Sequence, residues 1–286
     1  MQDGIEEAFY QGARDTQMRI IASLSELDGR DREIFTIYNE VQLKRIYEPG
    51  RGIFIAESPK VIRRAIEAGY IPISLLTSII DPDEDAAFVF DACRNVTGYL
   101  APDEVLKEIT GYALTEGMFC AMERKEQPDA ADICRDRRFV AVLENVTNPT
   151  NVGAIFRSAA AMGVEAVLLT SDCADPLYRR AARVSMGNVF NIPWTVIPGE
   201  RDIISVLKEM GFDTIAMALS PDALALGDPV LKDIKRKAVF LGNEGYGLTK
   251  QSIKDCDHVV MIPMAAGVDS LNVAAASTVA FWELGK

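Results

Sequence analysis

The 286-residue chain reads as an α/β protein in two domains, with a parallel sheet in the second. Three observations carry that reading. Short apolar runs without polar alternation recur through the second half with helical stretches between them, the pattern of parallel strands covered on both faces. The length exceeds that of one ordinary domain, while 49% hydrophobic and 25% charged residues is an ordinary globular composition, so two modest cores are expected. Residues 123–138, ERKEQPDAADICRDRR, are dense in charge, contain Pro128 and separate two patterned regions. They are the expected linker, between residues 1–122 and 139–286.

In the first region GIFIAES reads as a strand and PKVIRRAIEAGY as a helix opened by Ser58 and Pro59. ISLLTSII and DAAFVFDA read as strand-like runs, and APDEVLKEIT as a short helix. In the second region the order is strand FVAVLENV, a helix over 151–162, strands EAVLLTS and NIPWTVIP, and a helix over 200–210. Strands DTIAMALS, KAVFLGNE and HVVMIPM follow, and a last helix runs from about Ser270 to the end. No internal repeat or low-complexity tract interrupts this order.

Composition excludes several function classes. The acidic start MQDGIEEAFYQGARD has no apolar signal core, and no segment reaches the roughly 18 apolar residues of a membrane span, so a cytoplasmic protein is expected. The five cysteines form no CxxC or zinc-type cluster, and His258 is the single histidine, so reduced thiols and no metal site are expected. A Ser-His-Asp triad would have to use that histidine, which lies in the strand-like HVVMI. GNEGYG has the wrong spacing for a dinucleotide fingerprint, and no GxxxxGK[ST] is present. A net charge of −12 argues against a surface that is basic all over, yet a local patch of Lys and Arg can still hold nucleic acid.

Three loops follow apolar strands, at the carboxyl ends where open α/β sheets bind ligands: NVTNPTNVGAIFR, FLGNEGYGLT and IPMAAGVDSLNVAAAS. Taken singly each has a structural reading, as an Asn-Pro turn, a glycine turn, and an Ala-rich helix capped by Asp269 or Ser270. Taken together and in this order they resemble the three signature motifs of the SpoU (TrmH) family of RNA 2′-O-ribose methyltransferases, in the SPOUT superfamily. The resemblance spans residues 139–286. More weakly, GIFIAESPKVIRRAIEAGY and APDEVLKEITGYALTEGMFCAMER resemble that family's N-terminal RNA-binding α/β domain.

The resemblance implies a deep trefoil knot, S-adenosylmethionine as cofactor, a homodimer, and ribosomal RNA as substrate more readily than transfer RNA. A non-catalytic, knotted RNA-binding assembly factor is the rival reading. Positions matching the cofactor site are Gly242, Ile262 and Leu271, with Asn243 and Gly247 close by. Arg157 matches the arginine said to act on the ribose hydroxyl. A guanidinium, with a pKa above about 12, suits stabilising an alkoxide and pinning a phosphate better than taking a proton. Glu244, Asn151, Ser270 and Asn272 match the polar positions around it, with helix capping as the alternative for Asn151 and Ser270. Candidate RNA contacts are Arg179, Arg180 and Arg183 above all, then Arg63 and Arg64, with Arg135/Arg137/Arg138 and Lys235/Arg236/Lys237 as further clusters. Val279, Phe281, Trp282 and Leu284 of the last helix are the expected dimer contacts.

Overall fold

A computed structural model describes residues 18–37, 52–79, 81–110, 117–198, 202–265 and 270–285. The chain forms two compact units: residues 1–126 with 177–187, and residues 127–176 with 188–286. The stretch 177–187, expected within the second domain, thus belongs to the first. The expected linker contains a short helix of the second unit, Ala130–Cys134, capped by Asp129.

The first unit is built on a mixed five-stranded sheet. Its strands are β1 (Arg19–Ile20), β2 (Ile53–Glu57), β3 (Pro72–Thr77), β4 (Thr97–Leu100) and β5 (Met118–Glu123), in the order β1-β4-β3-β5-β2. β5 is antiparallel to both neighbours. Helices α1 (Gly29–Arg32), α2 (Pro59–Glu67), α3 (Glu84–Ala92) and α4 (Asp103–Thr110) surround it. Helix α2 starts with Pro59 in its first turn, but Ser58 has φ 79° and makes no capping bond. DAAFVFDA, expected as a strand, is the helix α3. Asp83 accepts the Ala86 N–H at 2.8 Å, and Glu84 and Asp85 occupy the positive first turn. Val89 and Phe88 give the run its strand-like composition, but cap and charge decide for the helix.

The second unit has an all-parallel seven-stranded sheet. Its strands are β6 (Phe139–Leu143), β7 (Ala166–Thr170), β8 (Trp194–Ile197), β9 (Asp213–Met217), β10 (Leu224–Ala225), β11 (Lys237–Leu241) and β12 (His258–Met261). Their order is β10-β12-β9-β11-β6-β7-β8. Val140, Val142, Leu168 and Phe240 are buried in one core cluster of this unit, as unalternating strands require. Counting Ala130–Cys134 as α5, the later helices are α6 (Pro149–Ala161), α7 (Arg179–Val184, in the first unit), α8 (Ile203–Glu209), α9 (Lys250–Asp255) and α10 (Val273–Leu284). Helix α10 packs along α6, where Ser158 Oγ and Thr278 Oγ1 lie 2.6 Å apart. Lys237 Nζ caps its far end by donating to the Leu284 carbonyl at 2.6 Å.

Position in the sheet places the site. Strand β6 is central, with β7 and β8 to one side and β11, β9, β12 and β10 to the other. The chain direction across the sheet therefore switches between β6 and β11, where Leu143 stands in register with Leu241. Loops leaving such a pair diverge and leave a crevice at the carboxyl end.

Candidate functional site

The loop after β6 and the turn after β11 are about one hundred residues apart in sequence and are brought side by side by this pairing. The backbone of Glu144 continues the ladder by donating to Leu241 O at 2.9 Å. The Glu144 carboxylate then accepts the Thr249 N–H at 2.6 Å and the Ser252 hydroxyl, anchoring the start of α9. Asn243 Nδ2 reaches back to Asn145 O at 2.8 Å. Sequence reading overlooked Glu144, because a carboxylate at a strand end carries no signal of its far partner.

The turn itself is closed by Asn243. Its N–H and C=O exchange bonds with Gly247 at 3.0 and 2.9 Å, and its Oδ1 accepts the N–H groups of Gly245 and Tyr246 at 2.8 and 3.1 Å. Gly247 has φ 69°, a conformation glycine adopts without steric cost. Gly242 is held bare of a side chain by its own neighbours in the turn. A Cβ there would lie 2.2 Å from Leu248 N and 2.3 Å from the carbonyl carbon of Gly247. The chain's own backbone thus already excludes a side chain at this position, which also borders a cavity beside the turn.

Helix α6 starts two residues earlier than expected, with Pro149 in its first turn and Asn148 Oδ1 capping the Thr150 N–H at 2.9 Å. Asn151 is therefore no cap. Its Nδ2 donates to Glu244 Oε1 at 2.8 Å, and its Oδ1 accepts from Asn272 Nδ2 at 3.1 Å. Glu244 Oε1 also accepts the Asn148 N–H at 3.2 Å, so it is no loose turn carboxylate. Asn272 is the cap of α10, accepting the Ala274 N–H at 2.9 Å. The expected caps were Asp269, which lies outside the described residues, and Ser270, which is exposed and precedes the helix by three positions. One polar seam, Glu244–Asn151–Asn272, thus joins all three loops.

Arg157 is on the same helix as Asn151. Asn151 and Ser158 are seven residues apart and both bond to α10, which fixes that face of α6. Arg157, one position before Ser158, turns away from this seam and is exposed, with no hydrogen bond or ion pair among the described residues.

A cavity of about 410 Å³ opens beside the turn, lined at the carboxyl ends of β9, β11 and β12 and by the start of α10. Gly242, Asn243, Gly247, Ile262 and Leu271, the five positions matching a cofactor site, all border it, as do Glu244 and Ser270. Leu241, Leu248 and Val260 make its apolar wall. The volume lies within the range of small-molecule sites. Burial raises the thiols of Cys134 and Cys256 to about 11, which removes both as thiolate nucleophiles near neutrality. His258 sits on β12 with Nε2 3.5 Å from an Asp213 carboxylate oxygen, in a structural setting. No group of three metal-ligating side chains occurs among the described residues.

The basic clusters fare differently. Arg63 bonds Glu67 at 2.9 Å, Glu84 at 3.1 Å and Asp85 at 2.9 Å, and lies over Phe88; these carboxylates, Glu67 foremost, push its pKa up further. It is a structural arginine of the α2–α3 pair. Arg64 donates to the Met186 carbonyl. Arg179 and Arg183 reach the buried carboxylate of Glu57 at 3.5 and 2.9 Å, holding α7 to β2 within the first unit. Arg180 is exposed. Arg236 donates to the carbonyls of Arg137, Met210, Cys134 and Arg135 over the ring of Phe212, and Lys237 caps α10, so these two of that cluster are held within the fold, while Lys235 is exposed. Arg135 pairs with Asp132 at 2.6 Å. Of the expected dimer contacts, Phe281 and Leu284 are buried in the second unit, whereas Val279 and Trp282 are exposed.

Residues 138–282 match the family model described as the SpoU rRNA Methylase family. A protein of Mycobacterium bovis named as an uncharacterized tRNA/rRNA methyltransferase is 35% identical over 252 residues, 87% of this chain and 86% of that one. The 23S rRNA (guanosine-2′-O-)-methyltransferase RlmB of Salmonella typhi is 30% identical over 195 residues, 66% of this chain and 79% of its own. Among solved structures, an AdoMet-bound rRNA methyltransferase from Sinorhizobium meliloti superposes with TM-score 0.78 at 23% identity, covering 94% of this chain and 97% of that one. The SpoU methyltransferase AviRb from Streptomyces viridochromogenes superposes with TM-score 0.72 at 24% identity, covering 86% and 92%. At those identities the two structures establish a shared fold.

Proposed function

Because the chain belongs to the SpoU rRNA methylase family, an RNA methyltransferase family, we propose that it transfers a methyl group from S-adenosylmethionine to a ribose 2′-oxygen of ribosomal RNA. The observation that carries this is Arg157: an exposed guanidinium without a partner among the described residues, on a helix bonded through Asn151 to the turn that borders the cavity. The cavity suits S-adenosylmethionine. Leu241, Leu248, Val260, Ile262 and Leu271 offer an apolar enclosure for an adenine, and Gly242, Asn243 and Gly247 bring main chain to its edge. The knot implied by the resemblance is part of this reading.

S-adenosylmethionine supplies the activated methyl group. Arg157 stabilises the negative charge that develops on the attacking ribose oxygen and holds the neighbouring phosphate, since a guanidinium has donors for both and keeps its charge. Glu244, whose Oε1 is held by Asn148 and Asn151, fixes the turn against α6, and its second oxygen is the one we assign to the ribose. Asn272 keeps Asn151 in its rotamer, and Ser270 is placed to hydrogen-bond the substrate at the cavity mouth. The name of the 30% identical relative supports 23S ribosomal RNA over transfer RNA. The retained set Arg157, Glu244, Ser270 and Asn272 favours an enzyme over a scaffold. We place the protein in the cytoplasm as a homodimer, with Val279 and Trp282 in the interface. A monomer in sedimentation at micromolar concentration would remove that part.

Mapping 2′-O-methylation in RNA from a strain lacking the gene, with and without a plasmid copy carrying Arg157→Ala, tests the whole reading. One ribosomal site should lose its methyl group and regain it only with the wild-type copy. An unchanged map would refute it.

A further inference from the structure

Tyr246, at the tip of the turn after β11, is 93% exposed. Its backbone is held by the Asn243 side chain and by the paired bonds of Asn243 with Gly247, so the ring is presented from a fixed support. A ring on a preformed turn loses little backbone freedom when a flat partner covers it. It lines the rim of the cavity together with Leu219, 61% exposed, and Leu271, 39% exposed, and nearly all of its own surface faces outward. The ring is open to a partner from outside.

The surroundings point to the occupant. Two residues before Tyr246, Glu244 is bonded to Asn151, and six residues beyond Asn151 on the same helix stands Arg157, without a partner among the described residues. An aromatic face and a free guanidinium on joined elements are the two groups that unpaired RNA uses, one for a base and one for a phosphate. We infer that Tyr246 stacks on an unpaired nucleobase of the RNA substrate, at or beside the nucleotide whose ribose meets Arg157. This rests on the proposed RNA methyltransfer. The adenine of the cofactor would lie inside the cavity instead. A second copy of the chain is better met by the exposed Val279 and Trp282 of α10.

Fluorescein-labelled single-stranded rA12, and the same ribose-phosphate chain without bases, are titrated with the full-length wild type, Tyr246→Ala and Tyr246→Phe. S-adenosylmethionine affinity is measured by calorimetry and association by sedimentation. Tyr246→Ala should weaken rA12 binding by ~5- to 150-fold while Tyr246→Phe stays within about twofold, because stacking needs the ring and not the hydroxyl. On the abasic chain all three should bind alike, with cofactor affinity and association unchanged. Equal binding of rA12 by wild type and Tyr246→Ala overturns the inference, as does a loss that persists on the abasic chain. A matching loss of cofactor affinity assigns the ring to the cavity, and a changed association state assigns it to a second copy; either overturns it. A wild type that binds cofactor but no RNA removes the RNA reading itself, and the inference with it.

Discussion

Arg157 in the second unit and Arg63 in the first each sit on a helix beside apolar residues, and each resembles an RNA contact on paper. Around Arg63 the fold places Glu67, Glu84 and Asp85 within hydrogen-bonding distance and Phe88 beneath the plane. Around Arg157 it places no acid within ion-pairing distance among the described residues, although 42 Asp and Glu outnumber 30 Lys and Arg in the chain. Glu244, the acid of the polar seam, is engaged by Asn148 and Asn151. A guanidinium fixed by carboxylates contributes to packing. One without such neighbours among the described residues has its donors open to the outside oxygen proposed for Arg157.

The most severe way to break the contrast is Arg157→Ala. It should cut single-turnover methylation by about 10²–10³ or more, as the loss of one aligned donor does, while the melting temperature stays near that of the wild type. Lys keeps the charge but loses the planar fork, so Arg157→Lys should also be badly impaired. Near-normal turnover of Arg157→Ala would make the residue structural and erase the contrast.

Arg236→Ala should give the opposite phenotype. Four carbonyls lose a charged donor, so denaturant unfolding should show about 2–3 kcal/mol less stability, with RNA affinity unaffected apart from unfolding. Glu244→Ala lies between them. Two donors on α6 lose their acceptor, and the turn loosens from the helix carrying Arg157, so single-turnover rate should fall by roughly 10-fold with a small stability change. The smallest effect is expected for Arg63→Ala: RNA affinity at matched salt should change by less than about twofold, because the lost charge was locally neutralised. A tenfold loss there would return Arg63 to the RNA surface.

The first unit also shapes a deletion experiment. Helix α7 comes from the middle of the chain but is held to β2 by Arg179 and Arg183 on Glu57. Removing the N-terminal residues alone would strip α7 of its support, so a weakened truncation would not by itself show where RNA binds. Glu57→Gln in the full chain is the milder probe, and loosened packing of α7 should register as faster amide exchange over 179–184.

The sequence by itself determined six strands of the second sheet, because unalternating apolar runs admit little else, but not the two-residue β10, and the three loops were legible only together, through their resemblance to the family's motifs. Arg157 stands out as a lone guanidinium on an apolar helix, whereas Asn151, Glu244 and Asn272 are marked only by their match to those motifs. Only the tertiary structure decided that β6 pairs with β11, and so that the first loop meets the second; strand pairing is set by long-range packing that no local pattern encodes. It decided that Gly242 is bare because Leu248 and Gly247 press on it, that DAAFVFDA winds into a helix behind Asp83, and that Arg63 and Arg236 are spent on the fold. Each of these turns on which atoms the folded backbone brings together or on a cap outweighing composition. A side chain's type is written in the sequence, but whether its donors are taken depends on which atoms folding brings within 3 Å of them.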